Sequence, residues 1–261
     1  MYDLTALEGE FAGTVFAGNL HFSAVTGSTN TDAMEAGREG APHASVYFAD
    51  EQHAGRGRGD HTWQSAAGQG LYVSVLLRVA LTAARLPLLP LAAGLAAAEA
   101  IQSASGLSAD LRWPNDLLIG ERKTGGILVE SKTEGGALAF AVVGIGINVH
   151  QRSFDATLAT PATSLDLEAG HPVSRQRLLI ALLKSLEREA QSLLQPDAGK
   201  MIPARIARAS TWISGRSVEV HGPQACTGIT AGLDEDGFLL VQTAEGIVTV
   251  RTGGMRAAKT G

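Results

Sequence analysis

Gln52-His53-Ala54-Gly55-Arg56-Gly57-Arg58-Gly59-Asp60-His61-Thr62-Trp63 sets Gly55, Gly57 and Gly59 in alternation with Arg56 and Arg58. Glycine at that density supports neither a helix nor a strand interior, so the stretch reads as a loop. Two guanidiniums so close repel each other unless an anion lies between them. Glycine lets backbone approach a ligand, and arginine offers forked donors to phosphate or carboxylate. Trp63 is placed to cover a flat ring once the loop folds over. The functional reading is a lid ordered by an anion. On these residues alone a solvated turn with two surface arginines is equally good. An Arg-Gly nucleic-acid tail is a third candidate, but such tails repeat and this motif occurs once, between strand-like segments.

Outward from the loop, Ala44 to Ala49 reads as a short buried strand leading in. After it, Leu71, Val73, Val75 and Leu77 alternate with Tyr72, Ser74, Leu76 and Arg78, the period of a strand. Upstream, Ser28-Thr29-Asn30 precedes a helix-compatible run from Thr31 to Glu39. At least one of the three reads as an N-cap, and the alternative is a pair of hydroxyls aimed at a polar ligand. Residues 1–20 show weak periodicity. Downstream, Pro87 and Pro90 open a helix over Leu88 to Ala104 that Gly106 ends, with Leu91, Leu95, Ala98 and Ile101 on its core face.

In Arg112-Trp113-Pro114-Asn115-Asp116 the proline breaks a central strand and leaves Asn115 and Asp116 at a bend. They read as turn formers, or Asp116 as an oxygen ligand for Mg²⁺ or as a carboxylate that orients a neighbouring ligand group. Lys123 stands beside Gly125 and Gly126 ahead of a strand running to Glu130, where an anion would meet an ammonium and free N–H groups. Taken alone, Lys123 reads equally as a solvated charge. Val142 to Val149 is a buried strand in which Gly144 and Gly146 signal a close neighbour, and Asn148 serves a ligand or caps the strand end. Arg175 to Leu194 and the run around Ala204 to Ala209 read as helices. From Trp212 the pattern shifts to short strands at Val218–Val220, Ile229–Leu233, Phe238–Val241 and Ile247–Val250. This divides the chain into residues 1–211 and a small, barrel-like all-β domain, 212–261, of a size that must pack on the rest.

Composition sets bounds on this. The 261 residues are 45% hydrophobic and 18% charged, enough for a substantial core. A net charge of −5 gives no global field for nucleic acid. Cys226 is the one cysteine, and the seven histidines lack metal-ligand spacing. The start has no signal-peptide pattern, and Pro87, Pro90, Gly94 and Glu99 interrupt the longest apolar stretch. The expectation is a cytoplasmic protein with no membrane span.

Each motif is ambiguous alone, but their order is specific. Ser28-Thr29-Asn30, then Gln52-x-x-Gly-Arg-Gly-Arg with Trp63, then Trp113-Pro-Asn-Asp116, then Lys123-x-Gly-Gly-Ile-Leu, then Gly144-Ile-Gly-Ile-Asn148 resembles the biotin–protein ligases. The resemblance covers Ser28 to Asn148, and the β tail looks like that family's C-terminal domain. It implies an α+β fold: a class II aminoacyl-tRNA synthetase-like catalytic domain with a mixed β-sheet, plus a small SH3-like β-barrel. It also implies ATP and biotin as substrates with Mg²⁺, biotinyl-5′-AMP as intermediate, and a lysine of a biotin carboxyl carrier protein as acceptor. By the resemblance, Lys123, Arg56 and Arg58 are the catalytic cations. Ser28, Thr29, Asn30, Gln52, Gly55, Arg56, Lys123 and Gly126 face biotin, with Ser28, Thr29 and Gln52 suiting its ureido ring. Arg56, Arg58, Trp63, Arg112, Asn115, Asp116 and Asn148 face the nucleotide, with Asp116 toward Mg²⁺. A monomer or weak homodimer is expected.

Two departures stand out. The family has Lys where this chain has Arg112, which puts phosphate geometry there in question. The lid continues Asp60-His61-Thr62 where relatives carry more basic residues. Only about twenty-seven residues precede Ser28, fewer than a winged helix-turn-helix needs, so no DNA binding is expected. Rivals are a lipoate or octanoate transferase, disfavoured by Ser28, Thr29 and Gln52, and a non-catalytic RNA-binding module, disfavoured by charge.

Overall fold

The computed structural model describes residues 2–135 and 137–258. Met1 of the expected large domain and residues 259–261 of the small one lie outside the described residues. Strands β1 (Leu20–Thr26), β2 (Ser45–Gln52), β3 (Gly70–Leu77), β4 (Asp110–Arg112), β5 (Asp116–Ile119), β6 (Arg122–Glu134) and β7 (Ala137–Asn148) form one sheet in the order β1-β2-β3-β7-β6-β5-β4. β1 and β2 run parallel, and every other neighbouring pair is antiparallel. This is the expected mixed sheet.

β3 lies inside the sheet between β2 and β7, and its whole length is buried. Leu71, Val73, Val75 and Leu77 join the main core, while Leu76 faces the opposite side with Phe140 and Val142. The main core is built by helices α3 (Leu88–Ser105) and α5 (Arg175–Leu193). α5 is amphipathic and starts at Ser174, whose hydroxyl accepts from the Arg177 N–H at 3.3 Å. α3 was expected to bury one face; its first half, residues 88–97, is buried nearly all round, while its second half exposes Glu99, Gln102 and Ser103. It packs on the sheet, on α5 and on α6 (Ala198–Ala209), and its small residues, including Gly94 against Leu111, let these neighbours close in. By length and composition α3 is apolar enough to cross a membrane, but here it is the central core helix. On the other sheet face, α2 (Thr29–Arg38) inserts Ala33 and Met34, and Gly37 leaves room for the Phe140 ring. Residues 4–10, unassigned from sequence, form a short helix, α1 (Leu4–Glu10), capped by Asp3.

The tail forms five antiparallel strands rather than the four expected: β8 (Ser214–His221), β9 (Cys226–Leu233), β10 (Leu239–Thr243), β11 (Gly246–Val250) and β12 (Gly254–Ala257), in the order β11-β10-β9-β8-β12. Its inward residues Val218, Val220, Leu239, Val241, Val250 and Met255 belong to the same apolar cluster as α3 and α5. Trp212 and Ile213 lie in that cluster too, and the Trp113 indole N–H donates to the Gly237 carbonyl at 3.1 Å. The two sheets therefore share one core.

Candidate functional site

The motifs meet on the sheet face that carries α2, with the Gly/Arg loop folded over it. The loop is a small hairpin: Gln52 bridges Ser65 and Arg56 bridges Thr62, and the Trp63 N–H donates to the Gly55 carbonyl at 2.9 Å. Any side chain at Gly55 would collide with the Trp63 carbonyl. This fold turns Trp63 down onto the sheet, where the glycines of β6 and β7 leave room for it. A Cβ at Gly146 would lie 2.6 Å from the indole nitrogen, and one at Gly126 would lie 3.5 Å from the ring. The Lys123 ammonium is 5.6 Å from the ring centroid, a cation–π distance. The indole N–H is buried with no partner among the described residues.

At the mouth of α2, Ser28, Thr29 and Asn30 are each only 4% exposed. Ser28 holds the N-cap position, but its side chain makes no cap hydrogen bond. Thr29 donates through its backbone N–H and its hydroxyl to Gln52 Oε1, at 2.9 and 3.1 Å, and its hydroxyl lies 2.8 Å from that of Ser74. Ser74 donates to Asn30 Oδ1 at 2.6 Å, and Asn30 Nδ2 donates to Glu130 at 2.9 Å. Gly144 has no side chain because the Asn30 amide fills that space. Gln52 Nε2 donates to Ser65 at 2.7 Å. Polar side chains from the mouth of α2 and from β2, β3 and β6 thus form one continuous chain.

Arg56 and Arg58 are held by separate protein partners. Arg56 makes a two-pronged pair with Glu130, at 3.0 and 2.5 Å. Arg58 donates to the carbonyl of Gly253, in the connection between β11 and β12, at 2.7 Å. Burial pulls the Arg58 pKa down and Asp116 pushes it back, though a guanidinium stays charged. Lys123 was expected ahead of its strand but sits inside β6, which begins at Arg122. It pairs with Asp116 at 2.5 Å, and Arg112 holds the other oxygen of Asp116 at 2.6 and 3.1 Å. Burial raises the Asp116 pKa, but Lys123 and Arg112 outweigh it and hold the carboxyl below its ordinary value.

Two expected ligand residues also brace the fold. The Asn115 side chain donates to the Ile127 carbonyl at 2.8 Å, while its backbone carbonyl takes the Ile127 N–H at 2.9 Å. Asn148 donates to the Thr163 carbonyl at 3.0 Å. Residues 160–163 complete this end: Thr160 accepts from Arg112 at 3.0 Å, and Lys123 bridges Ala162. The sequence reading assigned no role to Ser65, Ser74, Glu130, Thr160 or Gly253. Glu130 had a signal, being a carboxylate in a strand at even spacing from Gly126. Gly253 had none, since its partner Arg58 lies 195 residues away in the chain.

Asp116 does not suit a resident metal site, because both its oxygens are taken by cations. Among the described residues no group of three His, Cys, Asp or Glu side chains is placed to hold a metal ion.

Comparison with known proteins agrees with this architecture. Residues 22–148 match the biotin/lipoate A/B protein ligase family, and residues 213–254 match the biotin protein ligase C-terminal domain. The "Biotin--[acetyl-CoA-carboxylase] ligase" of Mycobacterium tuberculosis is 34% identical over 241 residues, covering 90% of this chain and 87% of that protein. The "Bifunctional ligase/repressor BirA" of Bacillus spizizenii is 33% identical over 239 residues, covering 89% of this chain and 72% of that protein. The structure of biotin protein ligase from Aquifex aeolicus in complex with biotin and ATP superposes with a TM-score of 0.79 at 30% identity, covering 92% of this chain and 99% of that one. On this evidence the chain belongs to the biotin protein ligases.

Proposed function

We propose that this chain condenses biotin with ATP and passes the biotinyl group to a lysine of a biotin carboxyl carrier protein. The observation that carries the reading is the cation set: Arg112, Lys123 and Arg58 lie near Asp116, Lys123 also lies over Trp63, and Arg56 is held on β6 by Glu130. Both substrates are anions, so their approach needs such a set. A biotin carboxylate oxygen attacks the α-phosphorus of ATP and the bond to the β-phosphate oxygen breaks. Biotinyl-5′-AMP forms and pyrophosphate leaves. The carrier lysine, as free amine, then attacks the acyl carbon, and AMP departs as an amide forms. No enzyme nucleophile is required.

In this reading Ser28, Thr29, Asn30, Gln52, Gly55, Arg56, Lys123 and Gly126 receive biotin. Arg58, Trp63, Arg112, Asn115, Asp116 and Asn148 stand toward the nucleotide, with Arg56 between the two. Lys123, inside β6, stands where the carboxylate and α-phosphate meet. Mg²⁺ arrives on the ATP phosphates as part of the substrate, while Asp116 remains paired to its cations. A cytoplasmic location and a monomeric or weakly dimeric state complete the proposal. The net charge of −5 offers no broad basic surface, which favours a protein acceptor over nucleic acid as the partner of this site.

Pyrophosphate release from ATP tests the reading. It should depend on biotin and stay near background with lipoate, and equal turnover with lipoate would assign the site to the other branch of the family.

A further inference from the structure

We infer that Glu130 is a positioning residue of this site, holding the Arg56 guanidinium and the Asn30 amide in the orientations that meet biotin. The inference rests on the ligase reading above. Glu130 lies on β6 at the same strand face as Gly126, which lies under Trp63. It is the one carboxylate in the polar chain from Gln52 to Arg56.

A carboxylate has no proton to give, so its two neighbours must both point donors at it. Arg56 does so with both arms of its fork, at 3.0 and 2.5 Å. Such a pair fixes the plane of the guanidinium and leaves its remaining N–H groups free for a ligand anion. Asn30 turns Nδ2 toward Glu130, so Oδ1 faces Ser74 and takes that hydroxyl's proton at 2.6 Å. Ser74 then has only lone pairs for Thr29, whose single hydroxyl proton is shared between Ser74 and Gln52 Oε1. One charge on β6, aided by the Leu128 carbonyl 3.4 Å from Asn30 Nδ2, therefore sets the donor and acceptor sense of Asn30 and Ser74, while the Thr29 backbone N–H sets that of Gln52. A site left to choose among these orientations would lose pre-organisation and bind its ligand less well.

Glu130 is itself about a quarter exposed, with its side chain at 27%, and replacing it by an amide of equal size leaves the core untouched. That separates positioning from folding. Glu130→Gln removes the charge and lets the new amide point donors back at Arg56 and Asn30. The KM for biotin should rise by about tenfold or more, the scale of one hydrogen bond to a charged group. The melting temperature should change little, the KM for ATP should rise less than that for biotin because Arg56 stands between the two while Asn30 faces biotin alone, and Glu130→Asp, keeping the charge, should recover part of the loss. Because Glu130 acts through Arg56, adding Glu130→Gln to Arg56→Ala should cost less than the two single losses multiplied together. An unchanged biotin KM, a loss shared equally by biotin and ATP, or fully multiplicative losses would each overturn the inference. Failure of the wild-type protein to release pyrophosphate with biotin would instead strike the ligase reading.

Discussion

Asp116 sits between two cations, and its acidity shows which force wins there. Burial opposes its charge, yet Lys123 and Arg112 pull its pKa below the ordinary value. A depressed carboxyl contributes stability that is complete above its unfolded pKa and lost as pH falls through the folded one. Melting temperature should therefore hold down to about pH 4 and drop below it, as this carboxylate and others like it take up protons. Asp116→Asn should be less stable by about 3 kcal/mol at neutral pH, because Arg112 is left buried without its anion, and its melting temperature should fall less steeply with acid. A mutant matching wild type at every pH would mean the pair contributes nothing. Lys123→Met should instead spare the fold and lower the adenylation rate by roughly two powers of ten, as for loss of one charged donor at the reacting centre. Normal pyrophosphate release in that mutant would return Lys123 to a solvated charge. Gly144 and Gly146 give a third comparison: alanine at Gly144 strikes the Asn30 amide, and alanine at Gly146 strikes the Trp63 ring. In calorimetric titrations Gly144→Ala should weaken biotin binding more than ATP binding, and Gly146→Ala the reverse. Identical profiles would dissolve the division of the site into two ends.

At the scale of elements, the loop over residues 52–65 joins parts that the chain keeps far apart. Arg56 ties it to β6 through Glu130, and Arg58 ties it to the carbonyl of Gly253 at the entrance to β12. A released biotinyl-adenylate would hydrolyse or acylate stray amines, so the loop must stay shut until the acceptor docks. Arg58→Gly removes one latch and adds backbone freedom to the open loop. It should release adenylate sooner and label albumin lysines more heavily than wild type at matched adenylate production. Equal labelling would mean that the tie to Gly253 does not hold the loop. The loop itself was legible from its glycine and arginine spacing, and β3 from its period of two. What was not legible is what the arginines touch, because those partners lie 74 and 195 residues onward. Lys123 and the paired glycines Gly125 and Gly126 read as standing ahead of their strand. In the fold those glycines belong to β6 and give backbone room to Trp63 and to β7.

In the molecule as a whole, the change of pattern at Trp212 was plain in the sequence, but the unbroken core beneath it was not. Trp212 is 2% exposed and stacks under the Arg216 and Arg112 guanidiniums at 3.7 and 5.2 Å, while Gly237 approaches Leu88 and Leu91 of α3. Heat should therefore unfold both sheets in one transition, and Trp212→Ala should lower its stability by about 3–5 kcal/mol. Two resolved calorimetric transitions would contradict a shared core. Such a core also holds Gly253 in reach of the lid, so the small sheet takes part in the site rather than hanging beside it. The claim on which all of this converges is that the assembled site makes a biotinyl group and delivers it. The direct measurement is mass spectrometry of a carrier domain incubated with this protein, ATP and an equal mixture of biotin and lipoate. The account predicts one added biotinyl group on a single carrier lysine, absent when ATP is withheld. A carrier that stays unmodified, or that gains a lipoyl group in biotin's place, would contradict it.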